Sequence, residues 1–221
     1  MAYTGLIFGN SGEGKTTSYR NVDPKSTVVV DADRKGGFLP WKGAKKNFND
    51  DNQNFFKLNT VGEIYKLMKD VNDSRPEVNL FIVDGINSMM VDDEFRRMRS
   101  KEGFQGWQEL AYYIWSLVSN ASQMRDDLTI FFIGHSQTDY TEDGYTFTKL
   151  KTSGRKLEKI CLESKFNVVL LARHLDDGRY IFETQSNKST AKSPMGMFDS
   201  PIIDNDLNFV VNQMKNYWEG D

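Results

Sequence analysis

The sequence predicts an α/β fold with a mostly parallel central sheet, helices on both of its faces and a C-terminal β-hairpin. Short, almost wholly apolar runs alternate along the 221 residues with segments whose apolar residues recur at helical spacing. Continuous apolar runs are typical of strands that are covered on both faces, and intervening helices keep such strands parallel. Polar residues follow these runs directly, as in sheets that bind ligands beyond the carboxyl ends of their strands.

The predicted strands are apolar runs rich in β-branched and aromatic residues. They span residues 3–8, 27–30, 80–83, 128–133 and 166–172, with a shorter strand at 54–58 and a last one at 180–184. The turn signal Asp176-Asp177-Gly178 joins the last two long strands, which predicts the C-terminal hairpin.

Helices are predicted at residues 60–71, 86–99, 105–124, 155–163 and 204–218. The first has five apolar residues on one face and Thr60 as its N-cap, and Asp204 is the expected cap of the last. Residues 33–51 are polar and Gly-rich, so a long loop or irregular element is predicted there.

Composition and length predict one soluble domain over residues 1–221. No apolar run approaches the roughly 18 residues of a membrane span, and the chain enters its first strand without a signal peptide. The single Cys161 indicates a reducing compartment, so a cytoplasmic location is expected. A formal net charge of -3 argues against a strongly basic DNA-coating protein but leaves room for local basic loops.

Residues 9–17 fit the phosphate-binding pattern G-x-x-x-x-G-K-[ST]. They are Gly9, Asn10, Ser11, Gly12, Glu13, Gly14, Lys15, Thr16 and Thr17. A strand is predicted before this segment and a helix start after it, and this context lets backbone N–H groups surround a phosphate. Lys15 would contact the β- and γ-phosphates, and the Thr16 hydroxyl would bind Mg²⁺. The sequence therefore predicts ATP and Mg²⁺ as ligands.

Asp84 follows the apolar run 80–83, which is the Walker B pattern of a buried strand that ends in a magnesium-binding carboxylate. The alternative is an ordinary acid in an Asp-Gly turn, and the P-loop earlier in the chain favours the metal role. With Thr16, Asp84 is thus the predicted metal ligand. Gly85 comes next, where many P-loop ATPases have a water-activating Glu. Asp33 is the best candidate for that role and Asp31 the alternative.

His135 follows the apolar run 128–133, and a polar side chain there would contact the γ-phosphate and signal hydrolysis to the next loop. The alternative is an ordinary histidine at a strand end. The predicted position of His135 beside the P-loop strand favours the sensor. Lys15, Asp33, Asp84 and His135 are the predicted catalytic set.

Two segments combine cations with aromatic residues, as single-strand nucleic-acid grooves do. Residues 96–104 contribute Arg97, Arg99, Lys101 and Phe104, and residues 139–156 contribute Lys149, Lys151 and Arg155. The alternatives are a solvated helix face and a β-hairpin. Lys188 and Lys192 are candidates for reaching a neighbouring subunit's γ-phosphate, provided that the protein oligomerises.

Taken together, these motifs resemble the RecA-like P-loop ATPases. Among these the chain is most similar to phage-encoded, AAA-type ATP-binding proteins that include single-strand annealing recombinases. The resemblance covers most of the chain and implies a RecA-like core. It implies water activation by Asp33 in Val30-Asp31-Ala32-Asp33, where the RecA-like pattern usually has Glu. Ile133-Gly134-His135-Ser136 resembles the strand-end sensor of that class.

Residues 187–198 resemble the C-terminal signature of the phage group, which implies Lys188 or Lys192 at a subunit interface. The P-loop begins at residue 9, so the N-terminal segment by which RecA-like filaments link their subunits is not expected. Any self-association would then use the core itself.

Three functions follow from these observations. The first hypothesis is a Mg-dependent, DNA-stimulated ATPase of phage recombination or annealing, acting with single-stranded DNA and with recombination or single-strand-binding proteins. The second is a nucleotide-gated binding or assembly protein with weak hydrolysis. A small-molecule P-loop kinase ranks last, because the region after the fourth core strand is rich in Thr and Lys and lacks an Arg-rich lid.

Overall fold

The computed structural model describes residues 1–34, 37–99, 103–140, 143–153 and 159–220, and at 97–99 and 103–110 it describes the backbone alone. Its strands are β1 (Tyr3–Gly9), β2 (Thr27–Asp31), β3 (Phe55–Phe56), β4 (Leu80–Asp84), β5 (Thr129–Tyr140), β6 (Thr146–Leu150), β7 (Val168–His174), β8 (Tyr180–Glu183) and β9 (Ile202–Asp204). Its α-helices are α1 (Ala44–Asn47), α2 (Val61–Ser74), α3 (Ile86–Arg99), α4 (Gly103–Ala121) and α5 (Leu207–Glu219).

The strands form a sheet in the order β3-β2-β4-β5-β1-β7-β8-β9, and β6 pairs with the far end of β5. All neighbours from β3 to β7 are parallel, whereas β8 and β9 are antiparallel to their neighbours. The predicted mixed α/β fold with a mostly parallel sheet is therefore confirmed. The predicted C-terminal hairpin is the pair β7–β8, which the unpredicted edge strand β9 extends.

Two apolar layers hold the helices against the two faces of the sheet. Side chains alternate between the faces along a strand, so Leu6 and Phe8 of β1 pack in one layer while Ile7 packs in the other. Helices α2, α3 and α4 cover the first face, and α5 covers the second. None of the helices in the described ranges is long and apolar enough to cross a bilayer.

Strand β5 is the largest departure from the prediction. It was expected to end at residue 133 but continues to Tyr140, where it pairs with β6. Along this outer half Gly134 and Ser136 are buried, whereas residues 137–140 are intermediate or exposed. Such a pattern lacks the continuous apolar run of a core strand. Residues 139–156, the candidate nucleic-acid segment for which a β-hairpin was the alternative, are in part that hairpin.

The helix boundaries also need correction. No α-helix occurs in the described part of 155–163, where a 3₁₀ turn begins at Leu162, and residues 154–158 lie outside the described ranges. The last helix begins at Leu207, and its N-cap is Asp206 because Asp204 belongs to β9. Thr60 caps α2 as predicted, with its hydroxyl oxygen accepting a hydrogen bond from the Glu63 N–H at 3.1 Å.

The hairpin is tied to the rest of the chain by the buried carboxylate of Glu163. Its Oε1 accepts hydrogen bonds from the Leu150 N–H at 3.0 Å and from the Thr190 hydroxyl at 3.1 Å. We expect Glu163→Ala to lower the free energy of unfolding by about 1–3 kcal/mol, because it leaves a buried N–H unpaired. Glu163→Gln keeps an acceptor oxygen and should lose less. Urea denaturation of the three proteins checks this, and equal stability of Glu163→Ala and wild type would contradict it.

Candidate nucleotide-binding site

A cavity of about 1090 Å³ lies beyond the carboxyl ends of β1, β2, β4 and β5. These strands are parallel and adjacent, so their ends meet at one edge of the sheet. The cavity brings together Lys15, Thr16, Asp33, Asp84 and His135. Its volume is slightly above the usual range of small-molecule sites, about 300–1,000 Å³, and suffices for a nucleoside triphosphate.

The P-loop is held in a compact turn by contacts among its own residues. The buried Lys15 ammonium donates a hydrogen bond to the Asn10 carbonyl at 2.6 Å. The Glu13 carboxylate accepts hydrogen bonds from the backbone N–H and the side-chain amide of Asn10. Gly12 and Gly14 have φ values of 85° and 80°, which residues with a Cβ rarely adopt. These contacts and the two glycines define the turn, which is of the kind whose backbone N–H groups bind anions.

Asp84 lies beside Thr16, the residue that follows the P-loop lysine. Its Oδ2 accepts hydrogen bonds from the Thr16 hydroxyl at 2.7 Å and from the Tyr19 hydroxyl at 2.9 Å. A hydroxyl oxygen next to a carboxylate is the donor set that Mg²⁺ binds in P-loop sites. The structure thus fits a magnesium site at Thr16 and Asp84.

Tyr19 is a contributor to this site that no sequence signal indicated. Its ring is fully buried in a 3₁₀ turn, Thr16–Tyr19, that stands where the sequence predicted a helix start. Burial, followed by the charge of Asp84, raises the pKa of Tyr19 well above its ordinary value. The phenol therefore remains a proton donor and holds the Asp84 carboxylate in place.

Gly85 and Asp33 compete for the same space. Gly85 has a φ of 111°, and a Cβ at that position would lie 2.2 Å from Asp33 Oδ1. No glutamate can occupy position 85 while Asp33 keeps its place at the cavity wall. The Asp33 carboxylate also accepts a hydrogen bond from the Ser88 hydroxyl of α3. A Glu after Asp84 is thus incompatible with the observed position of Asp33.

Asp31 is the other acid at the end of β2. It pairs in register with Asp84, is 8% exposed, and does not line the cavity. Its Oδ2 is buried without a hydrogen-bond partner within the described residues. The structure therefore places Asp33 at the cavity and Asp31 behind it.

His135 lies on β5 between the P-loop strand and the Asp84 strand, in register with Gly9. The backbone N–H of His135 donates a hydrogen bond to the side-chain oxygen of Asn87. The side-chain NH₂ of Asn87 donates in turn to the Lys151 carbonyl, just after β6. The neighbouring Ser136 hydroxyl donates to the Asn10 side chain at 2.9 Å. These contacts connect the P-loop, the sensor position and the hairpin.

The two candidate trans-acting lysines lie outside the cavity. The Lys188 ammonium stands 4.9 Å from the centroid of the Tyr145 ring, next to the hairpin. The Lys192 ammonium is 3.5 Å from the Ser164 carbonyl, and its backbone pairs with Val169 of β7. Neither lysine therefore lines the nucleotide cavity of its own chain.

The candidate DNA-contacting residues are only partly described. Lys149 forms an ion pair with Asp139 at 2.6 Å, and its hydrogen bond lowers the pKa of that carboxyl. Lys151 is exposed at the base of the hairpin. The side chains of Arg97, Arg99 and Phe104, and the residues Lys101 and Arg155, lie outside the described part of the structure.

Comparison with known proteins gives one family. Residues 1–195 match the model of a family described as AAA domain. This range includes the P-loop, Asp33, Asp84 and His135, and it leaves β9 and α5 beyond its end. A comparison with curated protein sequences gives no match.

We expect Tyr19→Phe to lower the free energy of unfolding by about 1.5–3 kcal/mol, the range for a hydrogen bond to a charged group. The variant removes only the hydroxyl that donates to Asp84. It should also raise the Mg²⁺ concentration needed for half-maximal nucleotide binding, because the carboxylate loses a positioning contact. Chemical denaturation and a Mg²⁺ titration measure the two effects. The matched change Tyr65→Phe, at an exposed tyrosine of α2, should alter neither quantity.

Proposed function

Since the chain belongs to the AAA domain family, a family of nucleotide-binding ATPases, we propose that it binds Mg-ATP in this cavity and hydrolyses it. One observation carries the proposal. The Thr16 hydroxyl and the Asp84 carboxylate are 2.7 Å apart at the mouth of a P-loop whose lysine is already in position. Sixty-seven residues of chain separate these two groups, so their contact is a property of the fold.

In this proposal each group acts on a defined part of ATP. The P-loop N–H groups and the Lys15 ammonium bind the β- and γ-phosphates. Thr16 and Asp84 hold Mg²⁺, which neutralises charge on the phosphate oxygens when it is bound. His135 contacts the γ-phosphate from β5, the strand between the two magnesium ligands.

Asp33 is the proposed water-positioning residue. It is the acid of the β2 end that reaches the cavity, and it would orient the attacking water and accept its proton. Its side chain is one methylene shorter than the Glu of the RecA-like pattern. The Ser88 hydroxyl also donates a hydrogen bond to this carboxylate, which takes up one of the acceptor positions that could hold water. Both features favour slow turnover.

Slow ATP hydrolysis would suit the second candidate function, a nucleotide-gated binding or assembly protein. The observation that favours it is the packing of Gly85 against Asp33, which excludes a glutamate base at position 85. Binding energy from Mg-ATP would then be used to order the hairpin or a subunit contact. The measured turnover number separates this candidate from an efficient ATPase.

The proposed partner is single-stranded DNA, bound at the β5–β6 hairpin. Tyr140 and Tyr145 are 82% and 59% exposed there, with Lys188 beside Tyr145 and the exposed Lys151 at the base of the hairpin. Exposed aromatic rings stack on bases, and lysines neutralise phosphates. The hydrogen bonds from Ser136 to the P-loop and from Asn87 to Lys151 support a coupling between nucleotide and hairpin.

The resemblance of residues 187–198 to the phage group supports a role in phage DNA recombination or annealing, in the cytoplasm of a bacterial host. Recombination or single-strand-binding proteins would be partners. Self-association would bring Lys188 or Lys192 to a neighbouring subunit's nucleotide. The exposure of Lys188 is compatible with such a contact.

Substitutions at the two acids of β2 test the assigned water-positioning role. We expect Asp33→Asn to bind Mg-ATP normally and to lower turnover by about 100-fold or more, the usual contribution of a general base. Asp31→Asn should retain most turnover, because Asp31 does not line the cavity. Calorimetric binding and phosphate release measure these effects, with Lys15→Ala as a variant that neither binds nor hydrolyses ATP. Full activity of Asp33→Asn would remove Asp33 from the mechanism.

A DNA titration tests the partner. Single-stranded DNA should raise ATP turnover of the wild type, and the double change Tyr140→Ala and Tyr145→Ala should abolish the increase while basal turnover remains. Tyr65→Ala, an exposed tyrosine on α2, is the matched control. Unchanged turnover across the titration would defeat the DNA part of the proposal and leave the ATPase part standing.

A further inference from the structure

We propose that the cavity wall formed by Tyr180, Asn205 and Phe209 holds the nucleobase, and that the side-chain amide of Asn205 selects adenine. This inference rests on the proposed function, since it requires a nucleoside triphosphate in the cavity. It adds a residue that distinguishes ATP from GTP.

The direction of the nucleotide follows from the positions of the phosphate ligands. Asp33, Asp84 and His135 come from β2, β4 and β5, which all lie on one side of β1 in the sheet order. They define the end of the cavity that takes the γ-phosphate. The cavity continues on the other side of the P-loop, where Tyr180 and Asn205 line it from β8 and from the turn after β9. The base must lie at that end.

Asn205 is unusual because its main-chain N–H and C=O form hydrogen bonds, whereas its side-chain amide forms none with the described residues. Its N–H donates to the Tyr180 carbonyl at 3.2 Å, and its carbonyl accepts from the Arg20 guanidinium at 2.7 Å. The residue is 2% exposed, yet neither Oδ1 nor Nδ2 has a hydrogen-bond partner in the part of the chain that the structure describes. A buried amide with both groups unpaired is unfavourable, and most such groups in proteins are satisfied. A bound base supplies the missing partners.

Aromatic rings stand next to this amide. A Cβ on Gly14 would lie 2.7 Å from the Tyr180 ring and 3.3 Å from Asn205 Nδ2, so both side chains pack against the P-loop. Tyr180 is 44% exposed and stacks on His174 with ring centroids 4.3 Å apart. Phe209 is also 44% exposed and lines the cavity from the first turn of α5. Such partly exposed rings suit stacking against a planar base.

The amide chemistry favours adenine. An Asn side chain presents one acceptor and one donor side by side. Adenine presents a matching N6 amino donor next to a ring-nitrogen acceptor, so two hydrogen bonds form at once. Guanine presents two acceptors, O6 and N7, at the corresponding Hoogsteen edge and leaves Asn205 Oδ1 unpaired there.

The test is the affinity of wild type and Asn205→Leu for ATP, GTP and inorganic triphosphate, measured by calorimetry without DNA. The wild type should prefer ATP over GTP by about tenfold or more, the equivalent of one good hydrogen bond. Asn205→Leu should lose that preference and keep its affinity for inorganic triphosphate. Its thermal midpoint without ligand should equal or exceed that of the wild type, because a buried unpaired amide has been removed. Asn208→Leu, an exposed asparagine on α5, should behave like the wild type.

Several outcomes would overturn the inference. They are a wild type without preference for ATP, and an Asn205→Leu variant that keeps its ATP-to-GTP ratio. If the leucine variant does not fold, Asn205→Ser takes its place, and an unchanged ratio in that variant has the same meaning. Lys15→Ala separates the two levels of the account. If Lys15→Ala binds ATP and triphosphate like the wild type, the proposed function itself fails. If only the Asn205 variants keep the wild-type ATP-to-GTP affinity ratio, the assignment of the base site alone fails.

Discussion

The contact on which the site depends is the hydrogen bond from Thr16 to Asp84. Thr16 is held by the P-loop at the end of β1, and Asp84 ends β4, with β5 between the two strands. The apolar run of β4 is buried on both faces, so the strand can shift little and its terminal carboxylate has a fixed place. A carboxylate in such a buried position requires partners, and the Thr16 and Tyr19 hydroxyls supply them. The geometry for binding a cation is thus part of the fold.

A second constraint sets what the site does with a bound nucleotide. Gly85 adopts a backbone conformation that favours glycine and packs against Asp33, so the acid beside position 85 is one that follows β2. In the proposed function the water-positioning role would fall to this short side chain, which accepts a hydrogen bond from Ser88. Nucleotide binding and efficient hydrolysis are separable in this arrangement. The same β5 strand that carries His135 continues into the hairpin, which would connect a bound nucleotide to an exposed aromatic surface.

Much of this architecture could be predicted from the sequence. The core strands are continuous apolar runs, and those at 3–8, 27–30 and 80–83 each differ from the structure by one residue at the end. Their polar end residues converge because adjacent parallel strands end at one edge. The outer half of β5 and strand β6 were missed because a half-exposed hairpin has a weaker pattern than a buried strand. The sequence predicts Asp204 as a helix cap because a three-residue edge strand leaves almost no periodic signal.

The residues that sequence reasoning missed act through long-range contacts. Tyr19 reaches Asp84 across 65 residues, Ser88 reaches Asp33 across 55, and the Asn205 carbonyl meets Arg20 across 185. No local pattern carries such pairings, since each depends on the completed sheet. The most direct test of the central claim is the affinity for ATP with and without Mg²⁺, in wild type and in Asp84→Asn. The account predicts that Mg²⁺ strengthens ATP binding of the wild type by about tenfold or more and has little effect on the variant. An equal Mg²⁺ effect in both proteins would contradict it.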